Sequence, residues 1–362
     1  MNIINYINKN IFKSLYNFFS ILFIFLIFFS TTNLQAKIYK VDNIEVISPY
    51  TLNFNKDEVI DEAFLLSFEL LMKKILNSND INKVNLNKIK IIKDMIVSFE
   101  IANEEFINKN YSASINVLYD KKKVLSFLNK KNIISSIPNE KKILFLPILI
   151  NLESNDLIMY NENIFYQNWN KNNKKYYLLD YILLEEDIED FSKIKKNISN
   201  IENYDFKDLI NKYDYDEFII SIFFYTNGNM NVLSKLKINN KLSILKTDYK
   251  EIDIQNTKKI KNLIFNLKEK FENKWKKSNE INPSIKLALN VSLNSKNLNL
   301  IKDFESIINS SDLVSNFYIE KISNTISIYR IIYNGTPDKF IYHLKKNNFK
   351  VDISEKIWSI EQ

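Results

Sequence analysis

Residues 95–131 read MIVSFEIANEEFINKNYSASINVLYDKKKVLSFLNKK, and the spacing of their apolar side chains decides the fold class. Two runs, 95–106 and 111–119, are rich in β-branched and aromatic residues and flank the polar turn Ile107-Asn108-Lys109-Asn110, which predicts two antiparallel strands. In the second run Tyr111, Ala113, Ile115, Val117 and Tyr119 share one face, and Ser112, Ser114 and Asn116 share the other. Asp120 then caps a helix over 121–131 that carries Val124, Leu125 and Leu128. A sheet with one dry face therefore runs directly into a helix able to cover it.

Upstream, 38–46 alternates as a strand, and Asn55 stands where a helix cap is expected. Asp57, Glu58, Asp61 and Glu62 fill the first turns of that helix and Lys73 and Lys74 the last, matching the helix dipole. Val59, Ile60, Ala63, Phe64, Leu66, Leu70, Leu71 and Ile75 give it a wide apolar face. A shorter helix is expected over 86–93. The order strand, helix, strand, strand, helix describes a small α+β sandwich.

Downstream, 142–150, apolar from Ile143 onward, reads as a buried strand, followed by an irregular polar stretch with a short helix at 164–169. Strands are expected at 176–184, 217–226, 230–238 and 242–249, and helices at 187–198 and 206–213. Asn227-Gly228 is a strong hairpin signal, because both central residues of that turn need positive φ. A long helix over 256–277 bears Ile260, Leu263, Ile264, Leu267 and Phe271 at helical spacing.

The break at 279–283 reads as a linker. After it come a strand at 284–293, a helix at 298–308, strands at 317–322 and 325–333, a helix at 337–346 and a strand at 349–353. That is a second βαββαβ array, with Gly335 at the turn, Thr336 as cap and Pro337 at the first helical position. The fold class is thus α+β: three small α/β sandwich modules at 37–140, 141–280 and 281–362. The first and last are expected to be ferredoxin-like (βαββαβ), and the middle one a mixed sheet packed by helices.

The chain opens with Lys9 and Lys13 ahead of the apolar run 18–29 and the tripeptide Leu34-Gln35-Ala36. A positive region, an apolar core of about 7 to 15 residues and a small terminal residue describe a secretory signal peptide, here 1–36, with cleavage between Ala36 and Lys37. The competing reading is an uncleaved inner-membrane anchor over 15–30. That run falls short of the about 20 apolar residues a spanning helix needs.

Composition excludes several chemistries. The chain has no cysteine, so an exported product would hold together without disulfides or a lipid-bearing thiol. One histidine, His343, and no cysteine leave no usual zinc site, and two glycines, Gly228 and Gly335, cannot build a phosphate-cradling loop. The net charge of +7 is weak support for nucleic-acid binding, because Arg330 is the only arginine among 50 basic residues and Asn, Ile and Lys crowd the whole chain. A nucleotide bias toward AT-rich codons accounts for that pattern, and no cofactor is implied.

Several segments resemble the bacterial exported family that carries domain of unknown function 2066, in its alphaproteobacterial form. They are Ser98-Phe99-Glu100-Ile101-Ala102-Asn103-Glu104, Tyr111-Ser112-Ala113-Ser114-Ile115-Asn116-Val117, Leu144-Phe145-Leu146-Pro147-Ile148, Asn168-Trp169, Asp214-Tyr215-Asp216-Glu217-Phe218-Ile219-Ile220 and Tyr333-Asn334-Gly335-Thr336-Pro337. The middle module is also similar to envelope α/β domains such as the TolB amino-terminal domain and the lipoprotein activators of peptidoglycan synthases. The resemblance implies export and architecture and supplies no catalytic residues.

Candidate site residues are few. Glu185, Glu186, Asp187, Glu189 and Asp190 form the densest acidic cluster. Two carboxylates at a strand end could serve glycoside hydrolysis, but Asp187 reads first as a helix cap with acids in the following turn. Trp169, with Phe165 and Tyr166, could stack on a sugar or peptide, and the competing reading is an aromatic cluster pinning the irregular insertion to the core. His343 reads as an ordinary surface or boundary residue. Lys258, Lys259, Lys268, Lys270, Lys274, Lys276 and Lys277 offer a basic helical face for anionic lipid or polymer, or simply a solvated face.

The expectation is a non-enzymatic periplasmic binding or scaffold protein of the cell envelope, whose partner is an envelope protein or cell-wall component, not nucleic acid. Membrane contact would come only through an uncleaved N-terminal segment. The alternatives are a carboxylate-dependent cell-wall hydrolase and an electrostatic binder of anionic membrane or polymer.

Overall fold

A computed structural model describes residues 38–84, 88–171, 173–213, 215–281 and 285–362. The expected cleavage site, Ala36 and Lys37, and the apolar run before it lie outside the described residues.

The first sheet has three strands, β1 (Ile38–Pro49), β2 (Ile96–Ile107) and β3 (Asn110–Asp120), in the order β1-β3-β2 with both pairings antiparallel. Helices α1 (Lys56–Ile75), α2 (Ser78–Ile81), α3 (Ile89–Met95) and α4 (Lys121–Lys130) complete the unit. The Asn55 carboxamide oxygen accepts from Asp57 N at 3.0 Å, and the Asp120 carboxylate accepts from Lys123 N at 3.1 Å, so both helices start on the caps read from the sequence. The face Tyr111, Ala113, Ile115, Val117 and Tyr119 is buried with Val41 and Val46 of β1 and Ala63, Phe68 and Met72 of α1.

A fourth strand does not close this sheet among the described residues. The segment after α4 contributes only β4 (Ser135–Ser136), cut short by Pro138, and β4 pairs instead with β11 (Glu280–Ile281). The expected βαββαβ array is therefore βαββα here, and the stretch expected as a linker at 279–283 includes a paired strand.

The second sheet is mixed. Its strands are β5 (Lys141–Asn151), β6 (Asp156–Ile158), β7 (Leu179–Leu183), β8 (Phe218–Thr226), β9 (Asn229–Ile238) and β10 (Lys241–Tyr249), in the order β10-β9-β8-β5-β6, with β7 also on β5. Parallel pairings join β5 to β7 and β8, and the rest are antiparallel. Ile143, Phe145 and Leu149 join a core with residues of α5 (Ile164–Asn168) and α8 (Thr257–Ser278). Leu144, Leu146, Ile148 and Ile150 face the opposite side, toward α6 (Ile188–Lys196) and α7 (Lys207–Ile210). Burial on both faces explains the unbroken apolar run.

Pro147 lies inside this central strand without breaking a ladder bond. On that edge β7 pairs through Phe145 and β6 begins at Leu149, and the Pro147 carbonyl in the gap accepts from Asn163 Nδ2 at 3.0 Å. At the β8–β9 turn Asn227 and Gly228 have φ of 46° and 73°, the left-handed pair the hairpin requires.

The third sheet has the order β13-β14-β12-β16-β15, from β12 (Leu287–Asn294), β13 (Val314–Ile322), β14 (Ile326–Tyr333), β15 (Lys350–Asp352) and β16 (Trp358–Glu361). Helices α9 (Leu298–Ser310) and α10 (Pro337–Lys346) supply its core partners Phe304 and Phe340. The strand expected at 349–353 forms, but it does not sit beside β12. Instead β16 is inserted, parallel to β12 through Val291 and Trp358 and antiparallel to β15. Gly335 is needed for space: a Cβ there would lie 2.6 Å from the Tyr333 ring.

Candidate functional site

The acidic cluster is a helix start neutralised by lysine. Asp187 accepts from Glu189 N at 2.8 Å and Asp190 N at 3.1 Å, capping α6. Lys212 Nζ donates to Asp187 at 3.0 Å and to Asp190 at 2.6 Å. Hydrogen bonding to Lys212 holds the Asp187 carboxyl below the usual range, and hydrogen bonding to Lys193 does the same for Glu189. A general acid needs the opposite shift. Glu186 is exposed and accepts from Asn161 Nδ2 at 3.2 Å, while Tyr166 is half-buried and donates to the Leu184 carbonyl at 3.0 Å.

The stacking platform expected of Trp169 and Phe165 is not at the surface, because both side chains are wholly buried. Trp169 stacks on Phe145 with centroids 3.9 Å apart and meets Tyr181 edge-on at 5.5 Å, and Phe165 stacks on Phe223 at 3.8 Å. Alternate residues of β5 and β8 point at α5, so its aromatic rings fill the sandwich. His343 is half-buried, and burial holds its pKa below the ordinary imidazole value.

The basic face of α8 is not uniformly solvated. Lys268, Glu272 and Lys276 lie one turn apart in a single row and are only 1%, 1% and 2% exposed. Glu272 accepts from Leu178 N and Leu179 N at 3.0 Å and 2.9 Å, anchoring the entry to β7. Lys268 Nζ donates to Asn173 Oδ1 at 2.6 Å and lies over the rings of Trp169, Tyr177 and Tyr181. Burial pushes the Lys268 ammonium down to about 8 and the Glu272 carboxyl up to about 7. Lys268 and Lys276, expected on a basic face open to anionic lipid or to solvent, are instead enclosed, since lysine and glutamate at helical spacing look the same in sequence whether solvated or buried.

What the fold leaves open is β2. Among the described residues it ends the first sheet and pairs only through β3, and it has no buried residue along its 12 positions. By register Phe99, Ile101 and Phe106 stand beside Val117, Ile115 and Tyr111 on the helix side, and Glu100 and Glu105 stand beside Asn116 and Ser112 on the other. Phe99 meets Phe64 of α1 edge-on at 5.1 Å, and the two rings border a shallow groove of about 430 Å³ lined also by Lys93, Ile96, Val97 and Ser98. Val97 and Phe106 are 54% and 58% exposed. A free strand edge flanked by apolar side chains supports β-augmentation by an extended segment.

No family model, curated protein or solved structure matches the chain. Among the described residues no group of three or more acidic or histidine side chains could hold a metal ion, and no helix is long and apolar enough to cross a membrane.

Proposed function

We propose that this chain is an exported, non-enzymatic binding or scaffold protein of the bacterial cell envelope, and that it takes hold of an extended segment of an envelope protein along β2. The observation that carries the reading is the open 12-residue edge of β2 with its flanking groove. Export rests on the N-terminal pattern through Ala36, and the envelope setting rests on the resemblance to the domain 2066 family. The first and last units are read as ferredoxin-like variants. In the first, the sheet order β1-β3-β2 has no closing strand among the described residues; in the last, β16 and β15 extend the sheet beyond β12.

The absence of native cysteine makes the test direct. A Ser98→Cys variant carrying a photo-crosslinker, expressed in a bacterial envelope, should give a discrete adduct with one protein, and a Lys302→Cys control on α9 should not. Equal labelling at both positions, or none at position 98, overturns the reading.

A further inference from the structure

The charges along β2 specify what the edge receives. In a chain with 50 basic and 43 acidic residues, β2 carries Glu100, Glu104 and Glu105 and no lysine or arginine. Glu104, on the helix side with Phe99, is taken by Lys56 Nζ at 2.7 Å. Glu100 and Glu105, on the open side, have no ion-pair partner among the described residues, and Glu105 only accepts from Asn103 Nδ2 at 3.2 Å. Their cross-strand neighbours Asn116 and Ser112 are uncharged. On this side of the sheet Lys40, beside Leu118, holds Asp42 at 3.1 Å, and Lys175 lies 3.9 Å from Glu45, beside Ser114, so both lysines have carboxylates of their own.

Resting on the reading of β2 as a docking edge, we infer that its partner is a basic strand, with two Lys or Arg residues four positions apart and apolar residues between them on the other face. The register sets the spacing. The pairing slips by one residue between Ile101 and Asn103, so Glu100 and Glu105 face Asn116 and Ser112, which are four residues apart on β3. Four residues of strand span about 13 Å, and the intervening apolar side chains of the incoming segment would fall on the helix side, against Phe99, Phe64 and Ile101. A second copy of β2 is the wrong occupant. It would add two more unpaired carboxylates to the same face, and like charges across a pair of strands are destabilising. A polyanion such as nucleic acid or wall teichoic polymer is repelled by the same groups.

The test uses the full chain as Ser98→Cys and three synthetic twelve-residue strands that alternate apolar and polar positions, identical except for Lys, Gln or Glu at two polar positions four apart. Each carries a thiol-reactive group and a fluorophore. The Lys strand should label position 98 and bind at least tenfold more tightly than the Gln strand, with the Glu strand weakest. Glu100→Gln combined with Glu105→Gln should abolish that tenfold margin, and so should high salt, while the Gln strand's binding stays the same. If the Gln or Glu strand labels position 98 and binds as tightly as the Lys strand, the edge stands as a docking site and the basic partner is overturned. If no strand labels position 98 above a Lys302→Cys control, both the docking edge and the basic partner fall.

Discussion

Lys276, in the last turn of α8, donates its buried ammonium to the backbone carbonyl of Lys73, in the last turn of α1, at 2.5 Å. A cation from the second sheet's longest helix thus caps the negative end of the first sheet's longest helix. Beside it Asn273 and Ser78 exchange two hydrogen bonds of 2.7 Å and 2.9 Å, and Trp275 Nε1 donates to the Asn139 carbonyl at 2.7 Å. Together with the β4–β11 pair, these contacts fix the first sheet through α1 and leave β2, at its far edge, free. Lys276→Met should cost about 2–3 kcal/mol, the worth of a charge-assisted buried hydrogen bond, read as a lower urea midpoint. An unchanged midpoint would show that the contact is incidental.

The buried row on α8 gives a specific pH dependence. Burial holds the Glu272 carboxyl at about 7 against an ordinary 4.5, so across that window the folded chain binds more protons than the unfolded one. Stability from this group therefore falls as pH rises from about 4.5 to about 7. Lys268 is shifted the other way, to about 8 from 10.5, so the unfolded chain binds more protons there and stability rises again across that window. Lys276, lowered by burial, adds to the rising limb. The shifts of Glu272 and Lys268 are each worth about 3 kcal/mol at most. Urea midpoints of the parent chain at about pH 5, 7.5 and 9.5 should be lowest in the middle, and Glu272→Gln should flatten the acid limb alone. An equal acid limb in that variant would contradict the assignment.

Trp169→Ala should lose about 3–5 kcal/mol by opening a cavity between Phe145 and Tyr181. Trp169→Phe should lose less, and peptide binding at β2 should be unaltered at temperatures where the variants stay folded. Reduced binding by the folded Phe variant would restore Trp169 as a contact residue.

At the start of α6, Asp187→Ala should cost about 1 kcal/mol, the value of a helix cap, while Glu186→Gln should stay within about 0.5 kcal/mol. Neither variant nor the parent should release sugars or peptides from purified peptidoglycan. Hydrolysis by the parent that Glu186→Gln abolishes would favour the carboxylate enzyme instead.

Most strands and helices were legible because each stated its pattern locally. Asn55, Asp120, Asn256 and Thr336 all accept from backbone N–H groups at helix starts, and Asn227-Gly228 makes the expected turn. Long-range pairing was not legible. β4, β11 and β16 have two to four residues each, too few for a period to register, and their existence depends on partners far away in sequence. The character of the site was hidden for a different reason. Trp169 enclosed in a core and Trp169 on a surface have the same neighbours in sequence, and the fold decides between them by where α5 lies on β5. The same holds for β2, whose apolar residues read as a half-buried strand until the helices cover β1 and β3 and leave its edge bare.

Backbone amide hydrogen exchange of the full chain, with and without the Lys-bearing strand, reports whether β2 takes up a new strand. New protection is expected at alternate residues of β2 within 96–107, where N–H groups on the free edge gain partners, with little change in the second and third sheets. Binding that leaves β2 exchange unaltered, or that protects amides of another sheet instead, would contradict docking along β2.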